Sequence, residues 1–286
     1  MPTDVGIIDT MCGFPSRNRQ EVYKFLAPHL RDDESKGMRF PAEYMFKDVP
    51  PDLEDNVDPV AVVLDNLDRF GITKAMVGVG PDRDDALRAL KERPERFIPS
   101  AAVDPTQGMD AVRFLVEMHQ SYGIKAATTF PAGCQVPIND KRYYPIYAKC
   151  VELGIPIFCC AGVPGPRVPM APQKVELIDE VCWFFPELKF VMRHGAEPWT
   201  ELAVKLMLKW PNLYYSTSAF APKHYPRAII DYANTRGAEK VIYAGYFPAG
   251  LTYDRIFAEM PNVPFKDDVW PKFLRDNAMR VLALDD

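Results

Sequence analysis

The stretch LKFVMRHGAEPWTELAVKLMLKWPNLYYSTSA, residues 188–219, decides the fold because it contains one full structural repeat. It opens with LKFVMRHG (188–195), a near-continuous apolar run of strand length. PWTELAVKLMLKW (198–210) then spaces its apolar residues at three- and four-residue steps, as an amphipathic helix requires. NLYYSTSA (212–219) is a second apolar run rich in aromatic residues. Strands without polar alternation are buried on both faces, which marks a parallel sheet. A parallel sheet needs crossover helices between its strands.

Outward from this unit the pattern repeats. Strands are expected at 5–9, 72–79, 96–103, 123–130, 155–162, 188–195, 212–219 and 240–247. Helices are expected at 58–70, 83–94, 108–123, 141–154, 173–185, 198–210, 225–237 and 252–260, with Gly154 and Gly237 where C-terminal caps belong. Eight strand–helix units predict an α/β fold, a (β/α)8 TIM barrel. The competing doubly wound open sheet has fewer strands, and the chain carries no glycine-rich phosphate fingerprint. Residues 10–57 form a long insertion after the first strand, expected to emerge at the barrel mouth as a lid or pocket wall. DVWPKFLRDNAMRVLAL (268–284) reads as an extra C-terminal helix packed on the outside. With no low-complexity tract and no clean linker, residues 1–286 are expected to form a single domain.

The 48% hydrophobic and 26% charged content is that of a globular chain with a large core. The net charge of −5 argues against a sequence-independent grip on nucleic acid. No apolar run is long enough to span a bilayer, and MPTDVGIIDT lacks the basic and apolar regions of a signal peptide, so a cytoplasmic protein with no membrane partner is expected. The six cysteines contain no CxxC pair and read as reduced, buried thiols. The 28 prolines, scattered between periodic segments, imply stiff loops.

Four motifs, in order and at barrel spacing, carry a resemblance that covers nearly the whole chain: IIDTMCGFP at the first strand, FVMRHGAEPW at the sixth, KVIYAGYFP at the eighth, and FLRDNAMRVLAL at the end. They resemble, respectively, the I-D-x-H-x-H, H-G-x-x-P-W, G-T/S-D-Y/W-P and N-A-x-R motifs of the amidohydrolase superfamily. The branch is that of decarboxylases, hydratases and hydrolases related to aminocarboxymuconate semialdehyde decarboxylase. The resemblance implies a barrel whose mouth binds a metal and acts on small carboxylated ring or dienoic compounds.

The departures from those motifs fall on the metal positions. Met11 and Gly13 stand where the resemblance implies two histidines, Cys160 where it implies a histidine, and Tyr246 where it implies an aspartate; His194 is retained. Catalytic zinc needs about three protein ligands, so no metal and no cofactor are expected. Any chemistry then rests on other groups. His194 is the expected general acid–base. Tyr246 offers a phenol to a carbonyl or carboxylate, and Glu197 either orients His194 or favours the next helix N-terminus. Arg193 is expected to point away from the pocket by strand alternation. Cys160 reads as a small apolar pocket residue in preference to a nucleophile. Arg167 and Lys223 are candidate clamps for a substrate anion, with solvated loop charge as the competing reading. Met11, Met45, Phe46, Thr129, Phe130, Trp199, Ser218 and Phe247 are expected to complete the substrate pocket, largely apolar in character.

Three functions compete. The favoured one is a metal-independent enzyme performing hydrolysis, decarboxylation or hydration on a small hydrophobic or cyclic, carboxylated molecule. The others are a non-catalytic pseudoenzyme that binds a ligand or partner, and a metal-dependent hydrolase with ligands elsewhere. The resemblance leaves room for a homodimer.

Overall fold

A computed structural model describes residues 1–47 and 49–285. Eight parallel strands lie in sequence order in one sheet: β1 (Ile7–Asp9), β2 (Ile72–Val79), β3 (Phe97–Ala102), β4 (Ala126–Thr129), β5 (Ile157–Cys160), β6 (Phe190–Arg193), β7 (Leu213–Ser216) and β8 (Val241–Ile242). Each expected strand is present. The β1–β8 seam is closed without a regular ladder. Thr10 donates from both its main-chain N and its Oγ1 to Tyr243 O, and Gly13 N donates to Phe247 O. This is a TIM barrel, with a helix following every strand.

Alternation along the strands divides them between two cores. Ile7, Ala75, Phe97, Ile157, Phe190, Met192, Leu213 and Tyr215 face the helices in the larger one. The inward residues form a second cluster with one member from each strand: Ile8, Met76, Ile98, Ala126, Phe158, Val191, Tyr214 and Ile242. Ala278, Val281 and Leu282 complete that cluster. The C-terminal segment, a π-helical turn Lys272–Asp276 followed by the helix Asn277–Val281, therefore stops the floor of the barrel. The expectation that it packs on the outside is corrected: its apolar face joins the apolar cluster inside the barrel. Asn277 Nδ2 donates to Ala238 O and Val241 O, and Arg280 lies over the Tyr214 ring. The N-A-x-R motif is thus the fastening of this plug.

The insertion lies at the opposite end. Its short helices, Arg19–Val22, Asp33–Gly37 and the 3-10 turns Lys24–His29 and Glu43–Met45, leave little regular structure to hold it. Side chains do so instead. Arg19 is buried, donates to Pro248 O and Ala249 O beyond β8, and pairs with Asp52 at 3.4 Å. Among the described residues no helix is long and apolar enough to cross a membrane.

Candidate functional site

The site lies where the strands end at the insertion side. β6 stops at Arg193, and the next three residues, His194, Gly195 and Ala196, all take left-handed backbone with φ of 62°, 86° and 55°. Left-handed backbone at a residue other than glycine or asparagine is costly, by about 1–3 kcal/mol, and such strain gathers at functional sites. Gly195 is required, since a Cβ there would sit 2.2 Å from the Phe220 ring. The turn leaves His194 half-buried at the mouth. Its Nδ1 is 3.1 Å from Ser218 Oγ, which also accepts from the His194 main-chain N at 3.2 Å. Burial, and then the neighbouring Arg193 charge, push the imidazole pKa down to about 3, so the ring is neutral at physiological pH.

Tyr246 faces His194 edge-on, with ring centroids 5.4 Å apart. It too has an unusual backbone, φ 144°. Burial raises its phenol well above the ordinary range, which keeps it a hydrogen-bond donor. Two rings of the insertion cover it: Phe46 stacks at 5.8 Å and Phe40 packs at 6.0 Å. Tyr23 packs on Phe40 in turn. The insertion therefore reaches the catalytic candidates directly, through an aromatic contact.

Arg193 is placed differently from its expected orientation. It is the register partner of Cys160 and lies two residues beyond the floor residue Val191, so it points into the barrel. The left-handed turn then brings its neighbour His194 to the mouth as well. Arg193 is buried, its Nε has no hydrogen-bond partner, and among the described residues no carboxylate pairs with it. Its charge is felt at Asp9, Cys160, His194 and Tyr246. Asp9, fully buried at the end of β1, is held by Met11 N, Gly245 N and Tyr253 OH at 2.7–2.8 Å. Burial raises its pKa to about 6 against these donors. A Cβ at Gly245 would collide with its carboxylate.

Other candidates are occupied elsewhere. Glu197 is exposed and has no bond to His194; Ser218 does the positioning assigned to it. Arg167 bridges to Asp32 and Glu34 of the insertion and lies over Tyr44, so it fastens a loop instead of clamping an anion. Lys223 is exposed and pairs with Glu259. Thr129 bonds Tyr143 on the helix side, one residue out of register with the inward, half-buried Thr128. Phe247 stacks on Tyr253 in the outer core, and Met45 is largely exposed beside Gly165. Met11, Phe130 and Trp199 are half-buried. Cys160 faces inward, and burial pushes its thiol up to about 11, which leaves it protonated and unsuited to nucleophilic attack. A separate cleft of about 700 Å³, with Lys74, Lys91 and Lys125 on its walls, lies at the floor end and holds none of these residues.

The residue set does not fit a divalent cation. Near His194 it supplies a protonated phenol and a protonated thiol, with a guanidinium among them. Among the described residues no three His, Cys, Asp or Glu side chains come together as a metal site would need.

Comparison with known proteins accords with the barrel fold. A TIM-barrel protein of unassigned function from Bordetella bronchiseptica superposes with a TM-score of 0.69 at 20% identity, over 97% of this chain and 98% of that one. A 5-carboxyvanillate decarboxylase from Novosphingobium aromaticivorans, solved with manganese and 4-hydroxy-3-methoxy-5-nitrobenzoic acid, gives 0.71 at 15% identity over 98% and 97%. A 4-oxalomesaconate hydratase from Rhodopseudomonas palustris gives 0.62 at 17% over 97% and 95%. No curated protein matches in sequence. The amidohydrolase family profile, however, matches residues 26–284, which is nearly the whole barrel, and the chain belongs to that family.

Proposed function

We propose that the protein is a lyase-type enzyme that acts on a small carboxylated ring or dienoic compound by acid–base chemistry, without a catalytic metal. One observation carries the reading: His194 is held on a strained turn by Ser218, against Tyr246, beneath the aromatic wall of the insertion. With Nδ1–H donated to Ser218, Nε2 holds the free lone pair. It takes a proton from the attacking water in a hydration, or from a substrate hydroxyl in a decarboxylation, and returns it to the carbon left electron-rich. The Tyr246 phenol donates to an oxygen on which negative charge develops. Phe40 and Phe46 keep bulk water from that pair. The family relatives solved as decarboxylases and a hydratase act at carboxylated molecules, which supports this substrate class.

The test is a panel of hydroxybenzoates, dienoic acids and cyclic carboxylates, assayed for carbon dioxide release and for addition of water. At least one should be consumed, at a rate unchanged by chelators. His194→Ala should lower that rate by about 10²–10⁴ with an unchanged circular dichroism spectrum. Turnover that survives His194→Ala would sink the mechanism. One equivalent of tightly bound zinc or manganese required for activity would favour the metallohydrolase instead. Tight binding without any turnover would favour the pseudoenzyme.

A further inference from the structure

We propose that Arg193 and Ser216 form a seat for the carboxylate of an organic acid inside the barrel, directly above its floor. The two residues are lateral neighbours. Met192 of β6 pairs with Tyr215 of β7, which places Arg193 beside Ser216 one step further along, both on the inward face. Each carries a polar atom with no partner, Arg193 Nε and Ser216 Oγ, and the residues are 9% and 0% exposed. Buried polar groups in folded proteins almost always have partners. A nitrogen of a charged guanidinium without a partner is a still larger departure from that rule. Two such atoms at neighbouring inward positions of adjacent strands are donors awaiting an acceptor.

The surroundings specify what kind. Asp9, the acid nearest in charge effect, is committed to three other donors and forms no ion pair with Arg193. The adjoining inward residue on β5 is Cys160, a protonated thiol with no charge to offer. The floor below is apolar, from Phe158, Val191, Tyr214 and Ile242. A planar guanidinium matches a carboxylate, and a hydroxyl beside it adds another donor. An organic acid also presents an apolar body, which an inorganic anion lacks. His194 is the next residue after Arg193, and the Arg193 charge bears on both His194 and Tyr246, so the seat adjoins that pair.

This inference deepens the proposed function and borrows from it only the organic-acid class. Benzoate, cis,cis-muconate, benzamide and inorganic phosphate serve as probes, with affinity read by calorimetry on the full chain. At least one of the two acids should bind, and benzamide should bind at least tenfold more weakly than benzoate. Arg193→Met should weaken the acid at least tenfold and erase the benzoate–benzamide difference. Ser216→Ala should weaken it several-fold. Lys91→Ala, on the wall of the cleft at the floor end, should leave acid affinity within about threefold. If Arg193→Met fails to fold, the wild-type comparison of acid with amide, together with Arg193→Lys, still decides. Equal affinity for benzoate and benzamide, or unchanged acid binding in Arg193→Met, overturns the seat. So does binding of phosphate alone with neither acid. An intact seat in a protein that turns nothing over would remove the enzymatic reading and leave this one standing.

Discussion

The two ends of this barrel are built to opposite specifications from the same eight strands. At the floor, one apolar side chain from each strand meets Ala278, Val281 and Leu282, and Asn277 ties the plug to the start of β8. At the mouth, one layer further along, stand a buried arginine whose Nε has no hydrogen-bond partner and an unpartnered serine. Beside them lie three successive left-handed residues. The floor is an apolar, buried cluster, whereas the mouth gathers strain and unpaired polarity. Strain and unpaired polarity persist only where the rest of the structure is stable enough to hold them. In a barrel of this kind stability resides at one end and chemistry at the other.

The contrast is tested most severely by truncating the floor. Leu282 is 2% exposed in the plug. Leu282→Ala should destabilise the protein by about 2–5 kcal/mol in denaturant melts while leaving ligand affinity unchanged. A loss below half of the lower figure would mean that the C-terminal helix is an ornament and not a stopper.

A pH-dependent effect comes next, from Asp9. Its folded pKa is raised by burial to about 6, so the fold favours the protonated acid. Its contribution is therefore greatest at low pH and is lost as pH rises from about 4 to 6, with no further change above. Asp9→Asn keeps an acceptor for Gly245 N, and its amide nitrogen can donate to the Tyr253 oxygen once that hydroxyl, now a donor, turns round. Between pH 4 and 7 the variant should gain on the wild type by up to about 3 kcal/mol. A difference independent of pH would show that Asp9 is ionised throughout. His194 acts in the opposite sense. Its lowered pKa makes stability fall as pH drops from about 6.5 toward 3, so the two sites must be separated by single substitutions.

Arg193→Met sharpens the comparison from the mouth. Removing an unpaired buried charge should raise stability by about 1–2 kcal/mol, where trimming the floor lowers it. Stability gained at the cost of ligand binding is the expected signature of a functional residue. A destabilised Arg193→Met would show that the guanidinium has a structural partner.

The sequence carries the floor more openly than the mouth. Burial on both faces writes each strand as an apolar run, so all eight are legible, and the periodic helices follow. β8 is shorter than the run 240–247 suggests because the chain leaves the ladder after Ile242. Tyr246, with its φ of 144°, lies in the irregular stretch that follows. Alternation predicts side-chain direction only while a strand lasts. Anchoring on His194 placed Arg193 outside, but β6 ends at Arg193, and the left-handed turn lets both residues serve the interior. The hydroxyl on His194 comes from Ser218, 24 residues away, a pairing that no local pattern encodes. Glu197, close in sequence, was the plausible orienting group and is exposed. Thr128 and Thr129 show the same sensitivity, since one step of register exchanges pocket for core. The Val191–Arg193 spacing did hold a usable signal, because a floor residue and a residue two places later share a face.

The smallest effect concerns how the insertion is held. Arg167 Nη1 contacts Asp32 at 2.9 Å and Glu34 at 2.8 Å, its guanidinium lies over Tyr44, and Tyr44 OH donates to Gly165 O. All of these groups are substantially exposed, so their loss should hardly alter global stability. Yet they join the loop after β5 to the segment that carries Phe40 and Phe46 onto Tyr246. Arg167→Ala should therefore leave the melting temperature nearly unchanged while proteolysis and hydrogen exchange in residues 24–46 accelerate a few-fold. Arg167→Lys should recover only part of this, since a single ammonium cannot both bridge two carboxylates and lie flat on a ring. Unchanged protection in Arg167→Ala would assign the closure of the mouth to Arg19 and the aromatic contacts alone.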